Sequence, residues 1–216
     1  MSMSTGSKPR RGRPPRLSRP LIVEAALTLV DRAGIDGLTM RALARELDAD
    51  PMAVYRHVRD KDDLLGAMCD QLLVELPPID PDGDWEPQVR RLAREIRERF
   101  AARPALLPAL ASAPVTPMSL VLASDAVTLL VRAGMSPHEA AGGFGAVFSY
   151  VLGFAVIEAA IPPPADHDAL RAAALGHLET DDPPPHLDAA IELMNSPGDF
   201  DLGLDLLIAG LRARLR

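Results

Sequence analysis

A chain of 216 residues, nearly half of them apolar, can bury one large or two modest cores, and scarce aromatics beside plentiful Ala, Leu and Arg favour helices over strands. A single cysteine, Cys69, excludes an intramolecular disulfide; a basic, proline-containing N-terminus excludes a signal peptide, and no apolar run reads as long enough to cross a membrane, so a cytoplasmic protein with no membrane partner is expected. The net charge of −7 is unevenly spread: residues 1–61 hold twelve Lys or Arg against seven Asp or Glu, whereas residues 62–216 hold eleven against twenty-three, a basic head on an acidic body that suits phosphate at one end only.

Residues 1–16 are rich in Ser, Pro, Gly and Arg without apolar periodicity, the composition of a disordered basic tail. Within them Arg11-Gly12-Arg13-Pro14 resembles the core of an AT-hook, whose arginines flank a glycine turn in the minor groove; the alternative is a solvated tail giving only non-specific attraction. Leu17 to Ala33 is the first predicted helix. Ser18 caps it, Pro20 sits in its first turn, Ile22, Ala25, Ala26, Leu29, Val30 and Ala33 form its buried stripe, and Gly34 closes it.

Thr39 to His57 reads as two short helices across a tight turn. Thr39 is the predicted N-cap of Met40 to Leu47, in which Leu43, Ala44 and Leu47 share an apolar face. Asp48-Ala49-Asp50 breaks the pattern, and Pro51 opens a second helix to about Val58 where its missing N–H costs nothing. Val54 and Val58 face inward, while Met52, Tyr55, Arg56 and Arg59 do not. Such a polar, basic and aromatic face, braced by a neighbouring helix, suits a DNA major groove, although an αα-hairpin inside a bundle has the same spacing.

Three blocks bear on that choice: Leu38-Thr39-Met40-Arg41-Ala42-Leu43-Ala44, Ala53-Val54-Tyr55-Arg56-His57-Val58 and Lys61-Asp62-Asp63-Leu64-Leu65. In this order and spacing they resemble the DNA-binding segment of the tetracycline-repressor (TetR) family, a resemblance that covers Leu17 to about Leu76 and continues more weakly beyond Trp85. It departs at Asp48, where the family usually carries Gly; Asp tolerates a left-handed backbone better than most residues. The resemblance implies an all-α protein, with a three-helix helix-turn-helix DNA-binding domain over 17–76, a linker over 77–84 and a helical-bundle ligand-binding and dimerisation domain over 85–216. It implies phosphate contacts from Thr39, Tyr55 and Lys61, and base-edge contacts from Arg41, Pro51, Met52, Tyr55 and His57.

A fourth helix starts at Asp60 or Asp62 and ends before Pro77, with Leu64, Leu65, Met68, Leu72, Leu73 and Leu76 on its apolar face; in the family it is the lever between sensing and DNA. Glu86 to Ala102 buries Val89, Leu92, Ala93, Ile96 and Phe100. Its arginines 90, 91, 94, 97 and 99 read as a solvated face paired with Glu95 and Glu98. Pro104 to Ala113 is a short apolar segment, and Pro117 to Ala133 a helix stopped by Gly134. The helix from about 136 to 161 is apolar on nearly every side, and Gly142, Gly143 and Gly145 invite close approach, so it belongs at the core centre or a subunit interface. Residues 199–215 repeat the pattern, and together the two resemble the family's dimerisation face, implying a homodimer. Residues 162–185, with two proline triplets, read as a loop containing a short helix near Ala169 to Leu178.

Phe100, Leu107, Met118, Leu122, Phe148 and Leu152 are candidate walls of a small-molecule pocket, equally readable as core. Glu158 aligns with an acidic pocket residue of tetracycline-binding members; the alternative is an ion pair across a dimer. The metal-associated histidines of those members fall near Pro77 and Ala109, which cannot ligate, so no metal or cofactor is expected. Enzymatic readings fail on spacing. His167, Asp168, His177, Asp181 and His186 lack the i, i+4 arrangement of metal sites, there is no GxSxG elbow, and Gly142-Gly143-Phe144-Gly145 lies inside an apolar helix rather than after a strand. The resemblance therefore implies a homodimeric DNA-binding regulator, a repressor released from a pseudo-palindromic operator by a small, largely apolar effector. A transcriptional activator of the same family and a ligand-independent helical dimerisation scaffold are the alternatives.

Overall fold

A computed structural model describes residues 17–107, 115–160, 166–178, 183–196 and 198–215, and among these every regular element is helical. Side-chain caps set most of the helix starts. Ser18 accepts from the Leu21 amide at the head of α1 (Arg19–Gly37), Thr39 from Ala42 before α2 (Met40–Glu46), and Asp50 from Met52 before α3 (Pro51–Tyr55). Asp60 accepts from the Asp63 amide before α4 (Lys61–Val74). Gly34 does not end α1 as the sequence suggested: its φ of +70° kinks the helix, and one more turn runs on to Gly37, while Ala33 is exposed rather than part of the buried stripe. The four helices close on Ile22, Val30, Leu38, Leu43, Val54, Leu64 and Met68, all inaccessible to solvent.

The remainder of the chain forms a second layer of helices: α5 (Trp85–Ala101), a 3₁₀ turn (Pro104–Leu106), α6 (Pro117–Arg132) and α7 (Pro137–Ala160), then α8 (His167–Leu178), α9 (Leu187–Asn195) and α10 (Phe200–Arg212). The α5–α7 pairing is the most extensive, followed by α6–α7, and α10 lies along α7. A Cβ at Gly143 would overlap Leu211 of α10, and one at Gly203 would overlap Tyr150 of α7, so these two glycines let the helices meet closely. Gly142 and Gly145 instead face open space. They belong to a surface that one chain leaves uncovered, with Ala146, Ser149 and Ile157 on α7 and Leu202 and Leu206 on α10, Leu206 being 68% exposed.

One expectation changes here. Helix α7 is long and apolar enough to cross a membrane, with a mean hydropathy of 1.8 over its best 18 residues, because no charge interrupts Ala140 to Ile157. One third of that stretch is buried within the chain, against α5, α6 and α10. The short helix expected near Ala169 to Leu178 is present, beginning at His167, and a second, α9, follows; the two pack on each other through an Arg171–Asp188 ion pair at 3.0 Å.

Candidate nucleic-acid interface

Helices α2 and α3 meet across a turn in which Asp48 adopts φ +47°, the left-handed conformation expected of that position. The Ala49 amide donates to the Ala44 carbonyl at 2.9 Å, and Pro51 occupies the first turn of α3. Val54 and Val58, 0% and 1% exposed, anchor α3 and the turn after it in the core. The opposite face is thereby held outward: Met52 is 68% exposed, Tyr55 44%, and Pro51 and Arg56 are exposed beside them. Thr39 and Arg41 are exposed at the start of α2, and Lys61 at the start of α4, where its Nζ donates to the Ile35 carbonyl at 3.4 Å. His57 differs from this group, being half-buried.

A clamp that sequence reasoning missed fixes the segment after α3. Arg19 donates to the His57 carbonyl at 2.8 Å and grips Asp63 with both guanidinium nitrogens, at 2.8 and 3.2 Å. Asp63 also accepts from the Arg59 amide at 2.8 Å. The Arg19 hydrogen bonds hold the Asp63 carboxyl down at about 2, and the same contacts raise the Arg19 guanidinium. The backbone from His57 to Asp63, which carries Lys61, is thus tied to the first turn of α1. Asp63 stood in plain view within the third matched block, but its partner lies 44 positions away.

The acidic body carries an apolar cavity between α5, α6, α7 and α10. Its walls are Val89, Leu92, Ala93, Ile96, Ala126, Leu130, Phe144, Val147, Phe148, Val151 and Leu211, with no polar side chain among them. The free space is about 20 Å³, near that of one water. Of the candidate pocket residues Phe148 lines this cavity; Phe100 and Leu107 are buried elsewhere in the core, and Met118, Leu122 and Leu152 are half-buried outside the lining. Glu158 is half-buried and is ion-paired within its own chain: Arg97 binds it at 2.6 and 3.1 Å while lying over the rings of Phe154 and Phe200. Other α5 arginines pair with more distant acids than the sequence suggested, Arg90 with Asp205 and Arg94 with Asp201 on α10, although Arg99 does take Glu95. Ala109 and Asp181 lie outside the described residues, as do Arg11 and Arg13. Burial pushes the Cys69 thiol up to about 11, which leaves it an unreactive packing group.

Polar contacts join this body to α1 and α4. Thr116, the cap of α6, donates to Asp70 on α4; Arg99 of α5 donates to the Glu75 carbonyl at the end of α4 at 2.8 Å; Arg103 pairs with Asp31 of α1 at 2.5 Å.

Residues 22–68 match the bacterial regulatory proteins of the tetR family, and residues 77–215 match the tetracyclin repressor-like C-terminal domain. The chain is 34% identical over 156 residues to the HTH-type transcriptional repressor DrrR1 of Streptomyces coeruleorubidus. That match takes in 70% of this chain and 57% of the relative, so the chain spans little more than half of that repressor's length. Among solved structures, the Streptomyces coelicolor TetR family protein ActR in complex with (S)-DNPA superposes with a TM-score of 0.75 at 30% identity, covering 92% of this chain and 98% of the other. BioQ with its natural double-stranded DNA operator superposes with a TM-score of 0.66 at 27% identity, covering 92% and 99%.

Proposed function

The chain belongs to the TetR family of bacterial regulatory proteins, and from that premise we propose that it is a homodimeric transcriptional repressor that leaves its operator when a small apolar effector binds. The observation that carries this reading is the outward face of α3 and the turn after it: Met52, Tyr55 and Arg56 stand exposed while Val54 and Val58 anchor the segment in the core beside α2. Arg41 reads base edges in the major groove, with Pro51, Met52, Tyr55 and His57 around it, while Thr39, Tyr55 and Lys61 fix the phosphates. The family is one of regulators rather than enzymes, and DNA in the cytoplasm is the target. Relatives bound to an operator and to a small molecule support the two halves of the cycle.

Two copies pair through the uncovered faces of α7 and α10, which sets two α3 helices on successive major grooves about 34 to 36 Å apart. An effector that enters the cavity must enlarge it, since about 20 Å³ holds no organic molecule. The enlarged state moves α5 and α6 apart, and their contacts through Arg99 and Thr116 carry the shift to Glu75 and Asp70 of α4. Operator affinity then falls by as much as the effector prefers the expanded state, and no more. The all-apolar lining calls for an apolar effector without charge.

Selection of bound duplexes from random DNA tests the reading. The expected product is a pseudo-palindrome whose affinity falls steeply as salt rises; recovery of no sequence preference at any salt concentration overturns it.

A further inference from the structure

We propose that Arg56 is a second base-reading residue in each half-site, its guanidinium taking N7 and O6 of one guanine in the major groove while Arg41 reads another base. This rests on the DNA-binding reading above. Helical hydrogen bonding continues past the end of α3: the His57 and Val58 amides donate to the Val54 carbonyl at 2.9 and 3.2 Å, and Arg56 keeps a helical backbone, with φ −70° and ψ −19°. Met52, Tyr55 and Arg56, at i, i+3 and i+4, therefore share the face opposite Val54 and Val58, and all three are exposed. His57, the next residue, is half-buried, and its carbonyl is bound by Arg19. At about 1.5 Å of rise per residue, Arg56 stands roughly 6 Å along the axis from Met52, against a major groove about 12 Å wide. Both ends of the face reach the same groove.

Most cations of this domain are already engaged. Arg19 and Arg59 pair with Asp63, Arg32 pairs with Glu46, Arg45 turns back to the Arg41 carbonyl, and Lys61 donates to the Ile35 carbonyl. Among the described residues of α1 to α4 and their connections, only the Arg41 and Arg56 guanidinium groups have neither a hydrogen bond nor an ion pair. The sequence explains why Arg56 is left so. Asp60, the acid four residues on, gives its carboxylate to the Asp63 amide at 2.7 Å as the cap of α4, and Met52 and Ala53 stand four and three residues before it. A paired arginine must surrender its carboxylate to bind DNA, whereas Arg56 surrenders only water, which a guanidinium holds weakly. The rest of the face offers no substitute. Pro51 and Met52 have no side-chain donor and Tyr55 has one, while the guanine edge presents two neighbouring acceptors that the planar arginine fork matches.

The test compares the duplexes selected from random DNA by the full-length wild type, Arg41→Ala and Arg56→Ala. One guanine of each half-site should disappear from the Arg56→Ala selection and persist in that of Arg41→Ala. Replacing this guanine by 7-deazaguanine, which removes N7 and leaves base pairing intact, should weaken wild-type binding about tenfold and leave Arg56→Ala unmoved. Arg56→Lys should keep the wild-type salt dependence and respond less to the replacement, because an ammonium lacks the fork. Both Arg56 variants should melt with the wild type, since the side chain has no partner in the fold. An equal loss on every sequence in Arg56→Ala, with the same duplex selected and a salt slope shallower by about 0.9, would make Arg56 a phosphate contact and overturn the proposal. Unchanged affinity and unchanged selection would overturn it as well. If the wild type selects no sequence, the DNA-binding reading itself has failed, an outcome that the first selection separates from the other two.

Discussion

Replacing Asp63 by Asn removes the charge from the clamp while keeping its shape, and the consequence depends on pH. In the folded chain the carboxyl ionises at about 2 against an ordinary 3.8, chiefly because Arg19 donates to it at 2.8 and 3.2 Å and the Arg59 amide adds a third bond. At about 1.4 kcal/mol per pKa unit the difference sets a ceiling of roughly 2.5 kcal/mol. The Arg19 side chain is 43% exposed, so solvent screening reduces the expected contribution to about 1 kcal/mol. Because the folded pKa is depressed, this stability is fully present above the unfolded value near 4 and is lost as pH falls towards 2. Urea unfolding of the wild type and of Asp63→Asn should therefore differ by about 1 kcal/mol at pH 7, with the gap reduced to about half near pH 3. A gap that stays constant across that range, or no gap at pH 7, would refute the reasoning.

Leu206, exposed on the open face of α10, should be buried by the second copy. Leu206→Asp is expected to turn the dimer into monomers in sedimentation velocity, with α-helical circular dichroism retained; a variant that stays dimeric removes α10 from the interface. Leu130 is 1% exposed and lines the small cavity, so Leu130→Ala should cost about 2 to 5 kcal/mol and leave a dry void. Benzene should restore part of the lost melting temperature in that variant and leave the wild type unmoved, as a cavity of apolar walls requires.

The parts of this molecule written in short-range chemistry were legible from its sequence. Ser18 and Thr39 each cap a helix through an amide three residues on, and Asp48 takes the left-handed turn, all consequences of neighbours within a few positions. The inward stripe of α5 follows from helical period alone. What escaped depends on contacts between distant segments. Arg90 and Asp205 are separated by 115 positions and Arg97 and Glu158 by 61, so an i, i+4 rule pointed to Glu95 and Glu98 instead. The Glu158 partner proved to be in the same chain rather than across a dimer, because α7 runs alongside α5. Gly34 was read as a stop, yet a positive φ only redirected the helix. The apolar character of α7 was legible, but not that its uncharged stretch is long enough to span a membrane. The cavity lining is set by how four helices converge, and Phe148 was the one wall residue named in advance.

Titration of the selected operator with the wild type, Arg41→Ala and Tyr55→Phe tests the central claim most directly. Two chains should bind per duplex, and each substitution should weaken binding by about 1 to 3 kcal/mol, with Arg41→Ala also relaxing the base preference at one position of each half-site. Unchanged affinity and unchanged sequence preference in both variants would contradict the account, and would mean that the exposed face of α2 and α3 is not what meets the DNA.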